Sequence, residues 1–240
     1  MERWDTLWPG GWTFCFGDGA FKPSTDSFLL GSFPPLRRSW WVCDLGAGTG
    51  LLGLLLLARE PSLTVTGLEL SPAACALAER TAAANGLTGR LVTLPCDLRE
   101  RQQLPQAGTF DLAVSNPPYF PAGGGKTALG SRGDARSELT CTMAQLCGAA
   151  SYLLRSGGQL CLVYRAARLA ELMALLRAHK LEPKELQTVQ KTIDTPPRLV
   201  LLRCRKDGGT GLDIRPPLLL QKGDGSESEA LGRCYFRDRE

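Results

Sequence analysis

Between residues 40 and 202, short apolar runs alternate with amphipathic stretches, and a glycine-rich turn follows the first run. The first run, residues 39–44, predicts a buried strand, and residues 51–59 predict the helix after the turn. Strands that alternate with helices are typical of a mostly parallel sheet covered by helices on both faces. The pattern therefore predicts the α/β class, because parallel neighbours need a crossover connection between them.

The remaining apolar patterns extend this prediction along the chain. Strands are expected at residues 63–69, 90–95, 109–115 and 159–164, and helices at residues 72–85, 137–154 and 166–179. Ser71 is the expected N-cap of the helix at 72–85, with Pro72 at its first position and Asn85-Gly86 ending it. Two further strands, 185–189 and 198–204, predict a hairpin, so the expected seven-stranded sheet has an antiparallel pair at its edge.

Composition indicates how the chain is organised around this sheet. Residues 1–35 are expected to form an N-terminal cap, residues 36–220 the main domain and residues 221–240 a polar, flexible tail. No apolar run approaches the ~18 residues of a membrane span, and the N-terminus has no secretory signal core. The nine cysteines include no CxxC pair and the chain has a single histidine, so we expect reduced thiols in a cytoplasmic protein and no metal site.

The charge is distributed unevenly along the chain. Residues 1–120 contain 9 Lys and Arg against 11 Asp and Glu, whereas residues 121–240 contain 19 against 13. A basic second half is compatible with a polyanionic partner, because neutralising phosphates contributes affinity without regard to sequence. A solvated surface with no partner would give the same bias.

Three acids and a glycine turn stand at the ends of successive predicted strands. Asp44 begins the segment Asp-Leu-Gly-Ala-Gly-Thr-Gly, in which Gly46 and Gly48 let the backbone turn tightly beside a ligand. Glu69 ends the next strand, where a carboxylate can accept both hydroxyls of a ribose. Asp97 follows the third strand, where it could accept from an adenine amine or cap residues 98–103. Together these positions predict an adenosine-shaped pocket at the carboxyl edge of the sheet.

The fourth of these strands continues directly into Asn116-Pro117-Pro118-Tyr119. Two prolines stiffen the loop and remove two backbone donors. The Asn116 amide and the Pro117 carbonyl could both accept from one NH2 group, and Tyr119 could stack on a flat substrate. Such a site favours methylation of a planar nitrogen by position and electrostatics, without a strong base.

These motifs resemble the Rossmann-like class I S-adenosylmethionine-dependent methyltransferases, and within them the bacterial tRNA-valine adenine methyltransferase family. The resemblance spans about residues 2–220 and also includes Phe14-Cys-Phe, Thr25-Asp-Ser-Phe-Leu-Leu, Ala135-Arg136 and Arg215-Pro-Pro-Leu-Leu. It implies that Asp44, Gly46 and Gly48 hold the methionine part of S-adenosylmethionine, Glu69 the ribose and Asp97 the adenine. It further implies that Asn116 and Pro117 bind the target amine and that Tyr119 stacks on the base, while Lys22, Thr25 and Asp26 close over the cofactor.

The expected activity is therefore N6 methylation of an adenine in the anticodon stem-loop of a tRNA. The same NPPY motif also occurs in methyltransferases that act on DNA adenine or on glutamine amides of release factors, so a protein glutamine amide is the alternative target. The short N-terminal segment and the basic second half favour RNA. The target base must then leave its stack, and the expected phosphate contacts are Arg132, Arg136, Arg165, Arg168 and Arg198.

Overall fold

The computed structural model describes residues 2–17, 23–117 and 141–239. The strands in these ranges are β1 (Glu2–Thr6), β2 (Thr13–Gly17), β3 (Trp41–Leu45), β4 (Thr64–Glu69), β5 (Leu91–Pro95), β6 (Phe110–Ser115), β7 (Leu154–Arg165), β8 (Leu181–Gln190), β9 (Leu199–Lys206) and β10 (Asp213–Leu219). The helices are α1 (Thr25–Ser32), α2 (Leu51–Arg59), α3 (Pro72–Ala84), α4 (Met143–Leu153), α5 (Leu169–Ala178) and α6 (Glu229–Cys234). No helix of these ranges has the length and apolar character needed to cross a membrane.

Eight strands form the central sheet, in the order β10-β8-β9-β7-β6-β3-β4-β5. The five strands from β7 to β5 are mutually parallel, and β9 is antiparallel to both β7 and β8. The expected α/β class and mostly parallel sheet are confirmed. Two apolar clusters, one on each face, pack the sheet against α1 and α2 on one side and α4 and α5 on the other.

The expected count of seven strands with the hairpin at the edge is wrong. Strand β10 pairs in parallel with β8 and takes the outermost position. No strand was expected at this segment, which contains Pro216 and Pro217, but an outermost strand tolerates proline because one side of its backbone has no neighbouring strand. The register shifts between Arg215 and Leu218, at the two prolines.

Helix boundaries follow local capping chemistry. Helix α2 begins and ends at the expected residues, and the Ser71 hydroxyl accepts from the Ala74 N–H at 3.3 Å at the start of α3. Residues 137–140 of the expected helix at 137–154 lie outside the described residues, and α4 begins at Met143, where Thr142 and Gln145 form a reciprocal capping box. The expected helix at 166–179 opens with a 3-10 turn, and α5 begins only at Leu169.

Both terminal segments pack on the main domain. In the β1–β2 hairpin, the Cys15 N–H donates to the Thr81 hydroxyl of α3 at 3.0 Å. The expected flexible tail at 221–240 is wrong for residues 221–239, because α6 and the chain after it bury Cys234 and Phe236. Tyr235 stacks on Phe28 of α1 with 4.3 Å between the ring centroids. The sequence suggested a flexible tail because the segment begins with a polar stretch, and the apolar residues that pack on the domain come after it.

Candidate functional site

The predicted site residues meet at one edge of the sheet because β3, β4, β5 and β6 are parallel and end side by side. Asp44 lies in β3, where its Cα pairs with Gly67 of β4 and Val114 of β6. Glu69 is the last residue of β4, and Asn116 directly follows β6. Asp97 comes two residues after β5. Four residues separated by up to 72 positions in the chain thus reach a common edge.

The turn between β3 and α2 has a backbone that glycine alone adopts readily. Gly46 and Gly48 have φ values of 76° and 55°, which are unfavourable for residues with a Cβ. The Gly46 N–H donates to the Leu68 carbonyl at 2.9 Å and thereby ties the turn to β4. A Cβ added at Gly46 would meet nothing within 4 Å. The turn is therefore anchored on one side and has open space on the other.

Asp44 is a buried carboxylate with one unsatisfied oxygen. Its side chain is 2% exposed, and Oδ2 has no hydrogen-bond partner among the described residues. Burial raises the Asp44 pKa to about 7, with a further contribution from the negative charge of Glu69 and an opposing one from the Gly53 N–H. A buried acceptor without a donor is costly. The position suits a ligand that brings a cationic donor, such as an ammonium group, to Oδ2.

Glu69 connects the glycine turn to the start of α3. Its Oε2 accepts from the Gly48 N–H and its Oε1 from the Ser71 N–H, each at 2.8 Å. A carboxylate oxygen can accept more than one hydrogen bond, so both oxygens keep capacity for hydroxyl donors. This geometry shows that the Glu69 carboxylate holds the glycine turn in place. Ribose binding by Glu69 stays a prediction.

Asp97 has a strong local partner. Arg99 Nε donates to Asp97 Oδ1 at 2.9 Å, and a terminal nitrogen donates to Oδ2 at 2.6 Å. The hydrogen bonds from Arg99 hold the Asp97 pKa below its usual value. Asp97 Oδ1 also accepts from the Arg99 N–H at 2.9 Å and so forms a local turn, whereas the 3-10 helix within 98–103 begins at Arg101 with Glu100 at its N-cap. An adenine amine at Asp97 would share the carboxylate with Arg99.

Asn116 is held from the other side by α1. Its Nδ2 donates to the Ser27 hydroxyl at 3.0 Å, and the Ser24 hydroxyl lies 3.5 Å from the same nitrogen. The Ser115 hydroxyl donates to the Leu45 carbonyl at 2.8 Å and fixes the end of β6 beside β3. Because the amide nitrogen donates to Ser27, Oδ1 is the atom that this side chain offers to a donor on a ligand. Pro117 is buried next to it.

Ser24 and Ser27 were not among the predicted site residues. They lie 92 and 89 positions from Asn116 in the sequence, so no local pattern connects them with it. The signal was their position on either side of Thr25 and Asp26, the two residues that the resemblance assigned to the cofactor. The Thr25 hydroxyl instead lies 2.9 Å from the Tyr235 hydroxyl, toward the C-terminal helix. Asp26 is in the first turn of α1.

Four of the remaining expected contact residues lie outside the described residues: Lys22, Tyr119, Arg132 and Arg136. The structure describes the other three, Arg165, Arg168 and Arg198. Arg165 and Arg198 are adjacent at the end of β7 and the start of β9, where the Ala166 N–H donates to the Arg198 carbonyl at 3.1 Å. Arg168 forms an ion pair with Glu171 at 2.6 Å. Within the described part of the chain, no group of three or more His, Cys, Asp or Glu side chains is arranged to hold a metal.

This chain is similar to known proteins in both sequence and fold. The family model described as "Methyltransferase small domain" matches residues 16–181. A "tRNA1(Val) (adenine(37)-N6)-methyltransferase" of Dickeya chrysanthemi is 32% identical over 225 residues, which cover 90% of this chain and 88% of that protein. A protein of the same name from Shewanella halifaxensis is 34% identical over 217 residues, covering 90% of this chain and 85% of its own.

A solved structure provides the comparison of folds. It is described as a predicted O-methyltransferase from Agrobacterium tumefaciens, and it superimposes with a TM-score of 0.73 over 88% of this chain and 95% of its own. At 22% identity this likeness concerns the fold alone.

Proposed function

Because this chain belongs to the methyltransferase small domain family, we propose that it transfers a methyl group from S-adenosylmethionine to the N6 amine of an adenine in tRNA. The observation that carries the proposal is that the Asn116 amide nitrogen donates to the Ser27 hydroxyl at 3.0 Å, which leaves the amide oxygen to accept from a substrate amine. The relatives named for adenine-N6 methylation of a tRNA support the same target. A tRNA substrate would place the enzyme in the cytoplasm.

The residues at the edge of β3 and β4 fit this cofactor. Asp44 Oδ2 lacks a donor among the described residues, and the amino group of a methionine moiety would supply one. The open side of the turn at Gly46 leaves room for the ligand to approach the backbone. The cofactor supplies a methyl group on a positively charged sulfur, which a neutral nitrogen can attack. Glu69 and Asp97 are the proposed partners of its ribose and adenine.

At the other half of the site, Asn116 and Pro117 would position the nucleophile. An adenine amine is conjugated with its ring, so its lone pair is poorly available while the nitrogen stays planar. Acceptance of both N–H bonds, by Asn116 Oδ1 and the Pro117 carbonyl, favours a pyramidal nitrogen and directs its lone pair away from the two acceptors. No general base is needed, because the proton can leave after the methyl group has been transferred. Tyr119 is proposed to stack on the base.

The alternative target is a glutamine amide in a protein. The same two acceptors would serve an amide NH2 equally well, so the chemistry at Asn116 does not separate the two targets. The names of the relatives and the excess of cations after residue 120 favour RNA. Arg132, Arg136, Arg165, Arg168 and Arg198 remain the proposed phosphate contacts.

The target can be identified with one labelling experiment. The protein is incubated with methyl-labelled cofactor and, in parallel, with total tRNA, DNA or a protein extract. The products are then digested to nucleosides or amino acids. We expect label in N6-methyladenosine from tRNA. Label in methylglutamine would establish the alternative instead, and label in neither product would contradict the proposal. An Asn116→Ala sample controls for contaminating activity.

A further inference from the structure

The strands beside Asn116 extend beyond the level at which β6 ends. Ser115, the last residue of β6, pairs with Leu162, and Leu162 pairs with Leu202 of β9. From that level β7 continues to Arg165, which pairs with Leu199, and Leu199 pairs with Val189 of β8. Three additional residues at ~3.3 Å each raise this part of the sheet about 10 Å above Ser115, where β6 ends. The result is a wall along one side of the candidate site.

The loop from Lys191 to Arg198 forms the top of this wall. The Arg198 N–H donates to the Val189 carbonyl at 3.1 Å, and the Gln221 N–H donates to the Lys191 carbonyl at 2.9 Å. Inside the loop, the Thr195 hydroxyl accepts from the Thr192 N–H at 2.9 Å. Pro196 and Pro197 restrict the return to β9. These hydrogen bonds and prolines hold the loop in position on the sheet.

The composition of the loop matches that of a nucleic-acid contact. Lys191 and Arg198 are exposed, and neither has an ion-pair partner among the described residues. Ile193 between them is 64% exposed. Asp194 is the one acid of the loop, which leaves a net positive charge. A single exposed isoleucine needs no explanation, but one held on a rigid loop between two cations offers apolar surface to an unstacked base and charge to its phosphates.

We propose that the loop from Lys191 to Arg198 is a docking element for the RNA stem-loop and that Ile193 packs against an unstacked base near the target adenine. The inference rests on the proposed function, because it requires an RNA substrate. Strand β9 is two strands away from β6, about 10 Å at ~4.8 Å per strand, so a nucleotide chain that delivers a base to Asn116 passes this loop. Arg165 and Arg198 then face the backbone of the same nucleotides.

The test uses fluorescence anisotropy with a labelled RNA stem-loop at several salt concentrations, and methyl transfer to the same RNA in parallel. For Ile193→Ser we expect an RNA Kd weaker by about tenfold at every salt concentration, with an unchanged salt slope, because no charge is lost. For the double variant Lys191→Gln and Arg198→Gln we expect weaker binding and a salt slope smaller by about 1.4, since each single-strand phosphate contact contributes ~0.7.

Matched controls are available in the same sheet. Ile214 of β10 is 71% exposed but lies four strands from β6, so Ile214→Ser should leave the RNA Kd unchanged. Lys180 and Arg205 are exposed cations at the opposite end of the β8–β9 hairpin and supply the control double variant Lys180→Gln and Arg205→Gln. Calorimetric cofactor binding should be equal in all variants and shows that each is folded.

The outcomes separate the two proposals. Loss of RNA affinity in the loop variants but not in their controls supports the docking role. If the chain methylates the RNA and the loop variants match their controls, the docking proposal is wrong and the proposed function stands. If the unaltered chain neither binds nor methylates RNA, both are overturned.

Discussion

The two halves of the candidate site are built in different ways. On the proposed cofactor side, Gly48 contacts Glu69 across 21 positions, and the carboxylates of Asp44 and Glu69 are buried. On the proposed substrate side, Asn116 contacts Ser27 across 89 positions, and Arg165 and Arg198 are exposed. The cofactor side thus comes from consecutive strand-turn-helix units, whereas the substrate side is assembled from distant segments. A ligand of fixed structure suits the first arrangement, and a large polyanion suits the second.

The largest expected effect is on the substrate side. Asn116→Ala removes the proposed acceptor for the target amine, and we expect a loss of about 10²–10³ in kcat, in the range found when one preorganised catalytic hydrogen bond is removed. The cofactor Kd should change little, because Asp44 and Glu69 are untouched. Single-turnover methylation and calorimetry measure the two quantities. A comparable loss of cofactor affinity would mean that the two halves do not act separately.

The next largest effect is expected at Asp44, through the pH dependence of the free energy of unfolding. The Asp44 pKa is raised to about 7 in the folded chain, against about 3.9 when unfolded. A raised pKa means that the stability associated with the protonated group is fully present below pH ~3.9 and is lost as pH rises toward 7. The loss in the free energy of unfolding is at most ~4 kcal/mol, at 1.36 kcal/mol per pKa unit. It should be absent from Asp44→Asn.

Denaturant unfolding of the cofactor-free protein between pH 4 and 8 measures this change. Added cofactor should offset the loss in the unaltered protein, because its ammonium favours the ionised Asp44, and it should stabilise Asp44→Asn less. Equal pH profiles for the two proteins would show that Asp44 is not a source of this dependence.

The sequence predicts the features that depend on local patterns and misses those that depend on how distant segments pack. The bounds of α2, the Ser71 cap and the acids at the strand ends follow from local patterns and were predicted. Strand β10 was missed because Pro216 and Pro217 argue against a strand unless its outermost position is known. The contact of Ser27 with Asn116 was missed because it depends on how α1 packs, which is decided by the whole core.

A smaller effect on the substrate side should come from Ser27→Ala. The variant removes the acceptor that orients the Asn116 amide, and we expect kcat to fall by about tenfold, corresponding to ~1.4 kcal/mol for a hydrogen bond of ordinary strength. The KM for the cofactor should not change. Ser27→Thr keeps a hydroxyl and should restore much of the rate. Ser32→Ala on the same helix, whose hydroxyl donates to the Leu29 carbonyl at 2.8 Å, is the control for helix stability.

The smallest effect tests the outer end of the cofactor side, where Asp97 is paired with Arg99. The Arg99 side chain is 30% exposed, and exposed ion pairs contribute ~0–1 kcal/mol, so Arg99→Gln should change the cofactor Kd by less than about fivefold. Asp97→Ala should weaken the cofactor by more, since it also removes the proposed acceptor for the adenine amine. Calorimetry on both variants decides between the two roles of Asp97. Equal small effects would leave Asp97 as a turn-forming residue, and the recognition of the cofactor would then depend on Asp44, Glu69 and the glycine turn.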